Sequence, residues 1–387
     1  MKDPKKLSRL LMALQFCYLA ALSGFSNYLT LYLHEQGMSE FQIGVVYAVG
    51  APMTLLIQPL LGRLLDHSQR FRQMLCTGLV LFALGVALVP FAGVVPTLRL
   101  ILILFITILS KQFGSVFDLW TYRLQREVPG VEYGKSRGFG SIGVGVATLF
   151  MGYFIEWWGF GSLFTVTVAL LMTVTALGLQ IPNPSGDPVQ KETGAACTGP
   201  VWSRPVLWYV ASFLVLKISV SIIHTFSPLL VDRLGGSSSV FGVTILLCAI
   251  TEVFIFTYFG RCCEKLPPRA AYLLCVGTVL VGSVWTSLAP NIPLFMVGRV
   301  MLTIAYAMYT IFNLLYIDTH VSAGARGRVF LTLSALSTGV GYTVSSLLGG
   351  ILMEIGSQTS MALITGGVTV LAFLLHFGAF PKAARAD

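Results

Sequence analysis

Residues Leu109–Gly145 read LSKQFGSVFDLWTYRLQREVPGVEYGKSRGFGSIGVG. Two charges, Lys111 and Asp118, stand inside an apolar run; a short basic loop and Arg137 follow, and a glycine-rich run leads straight into more apolar sequence. Gly138, Gly140 and Gly143 spell G-x-G-x-x-G. That pattern cradles a dinucleotide only where it follows a strand and opens the helix of a soluble βαβ unit. Here a basic loop and an apolar run precede it, and the next run carries Gly145 and Gly152 as well. Small residues on one helix face let membrane helices approach closely. The stretch therefore predicts a hairpin of two membrane helices, with its glycines as packing surfaces. It lacks the G-K-[ST] ending of a P-loop, which removes an ATPase from consideration.

Composition agrees. Only 11% of the 387 residues are charged and 55% are hydrophobic, against about 25% charged in soluble domains. The formal net charge of +9 would suit a nucleic-acid partner, but the places of the basic residues exclude one. The seven cysteines, Cys17, Cys76, Cys197, Cys248, Cys262, Cys263 and Cys275, show no C-x-x-C spacing. They read as reduced thiols, with no metal site and no cofactor implied. The N-terminal lead with Lys2, Lys5, Lys6 and Arg9 runs into apolar sequence that continues past signal-peptide length with no small-x-small site, so it reads as a retained first span.

A span needs about 20 mostly apolar residues. Twelve segments qualify, near 10–33, 41–61, 73–92, 98–124, 137–157, 161–181, 206–232, 240–259, 270–288, 293–317, 329–350 and 360–380. They read as helices, because a backbone in lipid must satisfy its own hydrogen bonds and no barrel-like alternation is present. The fold class is thus an all-α membrane protein with twelve transmembrane helices. One long polar connection, 182–205, divides an N-terminal six-helix half (1–181) from a C-terminal one (206–387).

Lys and Arg fall on one side. Lys2, Lys5, Lys6, Arg9, Arg63, Arg70, Arg72, Arg123, Arg126, Lys135, Arg137, Lys191, Arg204, Arg261, Lys265, Arg269, Arg326, Arg328, Lys382 and Arg385 share it, and Arg233 and Arg99 lie at the other. The positive-inside bias places the protein in the cell membrane with both termini and the central loop cytoplasmic. Trp157, Trp158 and Trp285 then fall at outer ends and Trp202 and Trp208 at an inner one, as interfacial anchors do. Tyr32 and Tyr316 read as anchors of the same kind.

The halves repeat. A shift of 198 residues lays Gly37, Gly44, Gly62, Arg63, Asp66 and Glu156 onto Gly235, Gly242, Gly260, Arg261, Glu264 and Glu354. Two parallel repeats with a mid-membrane site between them are a known transporter plan.

Ionisable groups inside a span cost about 2.5–3.5 kcal/mol each and persist where they face a cavity or a partner. Lys111, Asp118, Lys217, Glu252 and Arg299 are such groups. Lys111 and Asp118 are seven apart, on one helix face roughly 10 Å apart. Lys217 and His224 repeat that spacing, while Arg299, Thr303, Tyr306, Thr310 and Asn313 form one polar stripe. Asp118 and Glu252 are the candidates for proton uptake; Arg137, Lys217 and Arg299 are candidates to bind hydroxyl or carboxylate oxygens. Ion pairs that only lock helices together would explain the same charges. Tyr18, Asn27, Tyr28 and the tyrosines near Asn313 could line a cavity and stack on a ring.

The loop Gly62-Arg-Leu-Leu-Asp66-His-Ser-Gln-Arg70-Phe-Arg72 resembles the loop signature of the major facilitator superfamily, with a weaker copy at Gly260-Arg-Cys-Cys-Glu264-Lys-Leu-Pro-Pro-Arg269. With the spans, the central loop and the repeat, the resemblance covers nearly the whole chain. It implies a cytoplasmic gate at Gly62, Asp66, Arg70, Gly260, Glu264 and Arg269, with charges that pair in one state and part in the other; a plain turn with solvated charges is the alternative. Tyr133-Gly134-Lys-Ser-Arg137-Gly-Phe-Gly140 is similar to the fifth-helix start of proton symporters of the lactose permease and phenylpropionate permease type, and Thr251-Glu252-Val-Phe-Ile-Phe256 resembles the phenylpropionate and nucleoside permease pattern. That resemblance makes Arg137 and Asp118 a substrate-binding pair. The tenth helix departs from lactose permease, offering Arg299, Tyr306, Tyr309, Asn313 and Tyr316 where that family has a histidine and a glutamate.

The expectation is a monomeric secondary active transporter, a proton symporter that imports a small polar or anionic solute (sugar, nucleoside or aromatic acid) by alternating access. Protons and the lipid bilayer are its other partners. A drug/proton antiporter is the rival within transport. A membrane receptor or enzyme is the rival outside it, but no nucleophile–base set or H-E-x-x-H is present.

Overall fold

The computed structural model describes residues 4–66, 71–94, 96–128, 133–183, 202–263, 266–322 and 326–379. Among them the regular structure is helical, with no strand: α1 (Pro4–Glu35), α2 (Glu40–Asp66), α3 (Phe71–Leu88), α4 (Pro96–Glu127), α5 (Tyr133–Trp158), α6 (Gly161–Gln180), α7 (Arg204–Arg233), α8 (Ser238–Cys263), α9 (Pro268–Leu288), α10 (Ile292–His320), α11 (Arg326–Leu336), α12 (Tyr342–Ile355) and α13 (Gln358–Ala379). Every expected span coincides with a helix; the eleventh is built from α11 and α12, joined by a π turn at Ser337–Gly341. Among the described residues, nine helical stretches are long and apolar enough to cross a membrane, and Arg72–Leu88 is a shorter apolar helix. Most of the connection 182–205 lies outside the described residues.

Local sequence explains the helix ends. Asn291 caps α10, its Oδ1 accepting from Leu294 N at 3.1 Å ahead of a proline in the first turn. Gly37 and Gly235 follow α1 and α7 with φ of +81° and +76°. Only glycine adopts that left-handed turn without strain, and the two are repeat partners.

The chain forms two compact units. The first holds 1–38, 49–189 and 228–249; the second holds 39–48, 190–227 and 250–387. In the first, α1 packs along α5 and α6, and α3 packs on α4 and α6. The glycine run is what lets α5 reach α1. A Cβ on Gly143 would stand 2.6 Å from the Phe16 carbonyl oxygen, and one on Gly140 would strike the Leu19 side chain, whereas Gly138 has open space. Among the described residues no strand precedes this run, which belongs to one continuous helix. Tyr32 is 5% exposed and meets Phe160 and Phe164, so it is a packing residue rather than an interfacial anchor. Tyr18 packs on Phe117 at 4.4 Å and donates to the Ser110 carbonyl at 3.2 Å.

In the second unit, α9 packs on α10 and α13. Its core gathers Tyr209, Phe213, Tyr272, Tyr309, Phe312 and Tyr316, all buried. Polar pairs stitch α7, α9 and α13 together. Ser212 Oγ lies 2.5 Å from Tyr272 Oη and donates to the Ala372 carbonyl at 2.6 Å; Thr369 Oγ1 donates to Ser219 Oγ, which donates to the Thr365 carbonyl. In lipid, where apolar burial drives little helix association, packing and such bonds (about 0.6 kcal/mol each on average) hold helices together. Trp157 and Trp158 are each 67% exposed. Arg326 pairs with Asp318 at 2.5 Å and closes the turn between α10 and α11; both are exposed, so the pair adds little.

Candidate functional site

The facing surfaces of α7 and α10 make the most chemically loaded contact in the second unit. On α7 the residues are Tyr209, Phe213 and Lys217, spaced by four so that they share one face. On α10 they are Tyr306, Tyr309, Asn313 and Tyr316, spaced by three and four. As numbering rises along one helix it falls along the other, and three rungs result. Tyr209 stacks on Tyr316 with centroids 3.6 Å apart, and its hydroxyl donates to Asn313 Oδ1 at 3.2 Å. Phe213 stacks on Tyr309 at 4.0 Å, and the Tyr309 hydroxyl donates to the Phe213 carbonyl at 2.8 Å. At the third rung the Lys217 ammonium sits 4.3 Å from the centroid of the Tyr306 ring. Offset rings and a cation over a π-face are both favourable, the latter by about 2 kcal/mol when desolvated. The recess among Leu216, Lys217, Val220, Val279, Tyr306 and Tyr309 is too tight to admit a water molecule.

The arrangement presents an ammonium with three donors, a phenol ring and an amide held in one orientation. Tyr209 pins the Asn313 amide by its oxygen, so the amide N–H groups point away from that tyrosine. The other stripe positions differ in kind. Thr303 and Thr310 donate to the carbonyls of Arg299 and Tyr306 on their own helix. Arg299 is 3% exposed, and Glu252 is half-buried on α8.

The remaining sequence candidates are placed as follows. Lys111 is half-buried on α4. Asp118 and Arg137 lie in α4 and α5, but their side chains are outside the described residues. Asn27 donates to Thr148 Oγ1 at 2.9 Å, a link between α1 and α5. The Tyr28 hydroxyl is 2.8 Å from the Thr148 carbonyl and 2.9 Å from that of Ser238, so it is committed to the backbone and not to a cavity. His224 is exposed. Of the gate candidates, Gly62, Asp66 and Gly260 fall in α2 and α8 with their surroundings outside the described residues, as are Arg70 and Glu264 altogether. Arg269 lies 5.5 Å from the Phe377 ring centroid. Among the described residues no group of His, Cys, Asp or Glu is arranged to hold a metal.

Sequence reasoning missed Tyr209 and Phe213, and it misread Tyr316 as an interfacial anchor. Tyr316 is 1% exposed under the Tyr209 ring. The signal was present in the spacing of four back from Lys217, on an apolar helix where aromatic residues draw no notice.

Known proteins resemble the chain along most of its length. The maltose permease of Geobacillus stearothermophilus is 27% identical over 361 residues, 90% of this chain and 89% of that protein. The uncharacterized transporter YwbF of Bacillus subtilis (strain 168) is 22% identical over 371 residues, 93% and 91% respectively. Among solved structures, a point mutant of the nucleoside transporter NupG superposes with a TM-score of 0.82 at 14% identity, covering 96% of this chain and 99% of that one. A bacterial homolog of the human lysosomal transporter Spinster gives 0.66 at 12% identity, with 98% and 99% covered. These structures establish the fold. The model of the MFS_1-like family matches residues 9–363, and the chain belongs to that family as a multi-pass membrane transporter of the major facilitator kind, not an enzyme.

Proposed function

We propose that the protein is a proton-coupled symporter that imports a neutral, hydroxyl-rich solute with a ring, a sugar or a nucleoside, in the cell membrane with both termini cytoplasmic. The observation that carries this is the α7–α10 face, where Lys217 lies over Tyr306 and Asn313 is held by Tyr209. Sugar and nucleoside hydroxyls bond to amide and ammonium donors, and the recess beside Lys217, closed to water in this structure, would have to open for a ring to lie against Tyr306. The maltose permease relative supports the solute class. Glu252 and Asp118 are the proposed proton carriers; Arg137 and Arg299 complete the binding charges. Lys111 and Asn27 are proposed to support them, and Gly62, Asp66, Arg70, Gly260, Glu264 and Arg269 to form a cytoplasmic gate. The six-helix halves would rock to expose the site alternately.

The test is uptake into liposomes of labelled maltose and of a labelled nucleoside, with and without an inward proton gradient. One of the two should accumulate only with the gradient, and Glu252→Gln should remove that accumulation. Uptake indifferent to the gradient would sink the symport mechanism; no uptake of either would sink the solute class. Removing the Tyr209 donor gives a finer check. Tyr209→Phe keeps the stacked ring and loses one hydrogen bond, a net of about 0.5–1.5 kcal/mol. Substrate affinity should therefore fall about 2- to 10-fold, read as a rise in KM with little change in maximal rate.

A further inference from the structure

Two helix crossings, at the end of the chain poor in Lys and Arg, are copies of one another. In one, α5 meets the start of α8. A Cβ on Gly242 would lie 2.8 Å from Leu149 Cα and 2.9 Å from the Thr148 carbonyl oxygen, and one on Gly152 would lie 2.5 Å from the Ser238 carbonyl oxygen. In the other, α12 meets the start of α2. A Cβ on Gly350 would lie 2.8 Å from the Glu40 carbonyl oxygen, and one on Gly44 would collide with the Ser346 carbonyl. The offset of 198 relates every partner: Thr148 to Ser346, Gly152 to Gly350, Glu40 to Ser238 and Gly44 to Gly242.

A carboxylate closes each crossing in the same way. Glu354 Oε2 accepts from the Phe41 backbone N–H at 3.0 Å and from Ser39 Oγ at 3.1 Å. Glu156 Oε1 accepts from the Ser239 backbone N–H at 2.6 Å, with the Ser237 hydroxyl as a further donor. Glu156, Ser237 and Ser239 are again the offset partners of Glu354, Ser39 and Phe41. Each glutamate thus sits at the first turn of a helix, where free N–H groups and the helix dipole favour an anion. Each crossing also joins a helix from the first half of the chain to one from the second.

We infer that Glu156 and Glu354 are paired latches of the outer gate. Each clamps the opening turn of a helix from the opposite half, and both must release before the outer side opens. This rests on the proposed rocking of the halves and on the orientation given by the basic residues. The backbone contacts at the glycines are too close to survive even a small separation, so the latches exist only while this end is shut. Because the crossings belong to one gate, weakening either latch shifts the same equilibrium.

The experiment uses two reporter cysteines, Ser346→Cys and Thr148→Cys, each at a position with 0% exposure inside one crossing. An impermeant maleimide is added to right-side-out membrane vesicles of the full chain, with the parent protein correcting for its own cysteines. Both carboxylates are exposed, so solvent screens the loss of one charge-assisted bond and labelling should rise about 2- to 5-fold. The expected result is that Glu354→Gln speeds labelling at both reporters, and that Glu156→Gln does so too. Faster labelling only at the crossing that carries the substitution would mean local fraying and overturn the inference, as would unchanged labelling at both. If a glutamine variant fails to fold, Ser39→Ala and Ser237→Ala remove one donor from each latch and carry the same comparison. No solute enters the assay, so a wrong solute class would show in the uptake measurements and leave this outcome readable.

Discussion

A Lys217→Met variant should fold at least as stably as the parent and lose about 10- to 100-fold of its uptake of the true solute. The two halves of this expectation come from different physics. A charged side chain in a span costs about 2.5–3.5 kcal/mol, and methionine fills a similar volume without that cost. The cation–π contact with Tyr306 at 4.3 Å offsets part of it and no more. Folding therefore has little to lose. Binding has more, since a charge-assisted hydrogen bond to a solute contributes about 1.5–3 kcal/mol, or 10- to 100-fold. Thermal unfolding of the purified variant in detergent measures the first quantity and initial uptake rate the second. A variant that transports normally would remove Lys217 from the site. One that unfolds would make it a structural residue.

The second large effect concerns the glycine run. Gly143→Leu should cost about 3 kcal/mol or more, because its Cβ would stand 2.6 Å from a backbone oxygen of α1, which cannot move aside as a side chain end could. Little folded monomer should be recovered by size-exclusion chromatography. Gly138→Ala is the matched control. That position has open space, and replacing a helical glycine by alanine gains up to about 1 kcal/mol, so its elution and melting temperature should match or exceed the parent's. The contrast also separates the two meanings of G-x-G-x-x-G. A phosphate-binding loop needs its first glycine for the turn, whereas a helix-packing surface needs only those that face the neighbour.

Much of the fold was legible because lipid makes sequence explicit. Each span had to be an apolar run of helical length, and the connections had to hold the charges. The repeat was legible through residues with backbone duties, such as Gly37 and Gly235, whose left-handed φ no other residue supplies cheaply. The site was legible where it was charged or polar: Lys217 and Arg299 stand out because a charge in a span demands a reason, and Tyr306 and Asn313 because they extend the polar stripe of α10. Tyr209 and Phe213 carry no such cost. In a membrane protein, an aromatic residue facing lipid and one facing another helix have the same composition signal, and the same ambiguity made Tyr32 and Tyr316 look like anchors. The π turn was illegible for a different reason. It changes which carbonyl each amide reaches, and Ser337–Gly341 reads as ordinary helix in a hydropathy pattern.

That turn breaks the internal symmetry at a telling place. Moved back by the repeat offset, Ser337–Gly341 falls on 139–143, inside the glycine run of α5. At corresponding positions one copy of the ancestral unit uses glycines in an unbroken helix, and the other uses a wider helical turn that takes in one residue beyond the α count. Beyond the turn the copies are in register, as the matched crossings of α12 and α5 require. Before it the sequence offset is unchanged, as Gly62 and Gly260 show, but a π turn advances each residue through a smaller angle than an α turn, so side chains of α11 need not share the bearing of their namesakes at the start of α5. Arg137 lies on that side of the turn, where equal numbering does not ensure an equal bearing. The two helices thus match at the ends that carry the crossings and differ in backbone geometry where one has a glycine run and the other a π turn.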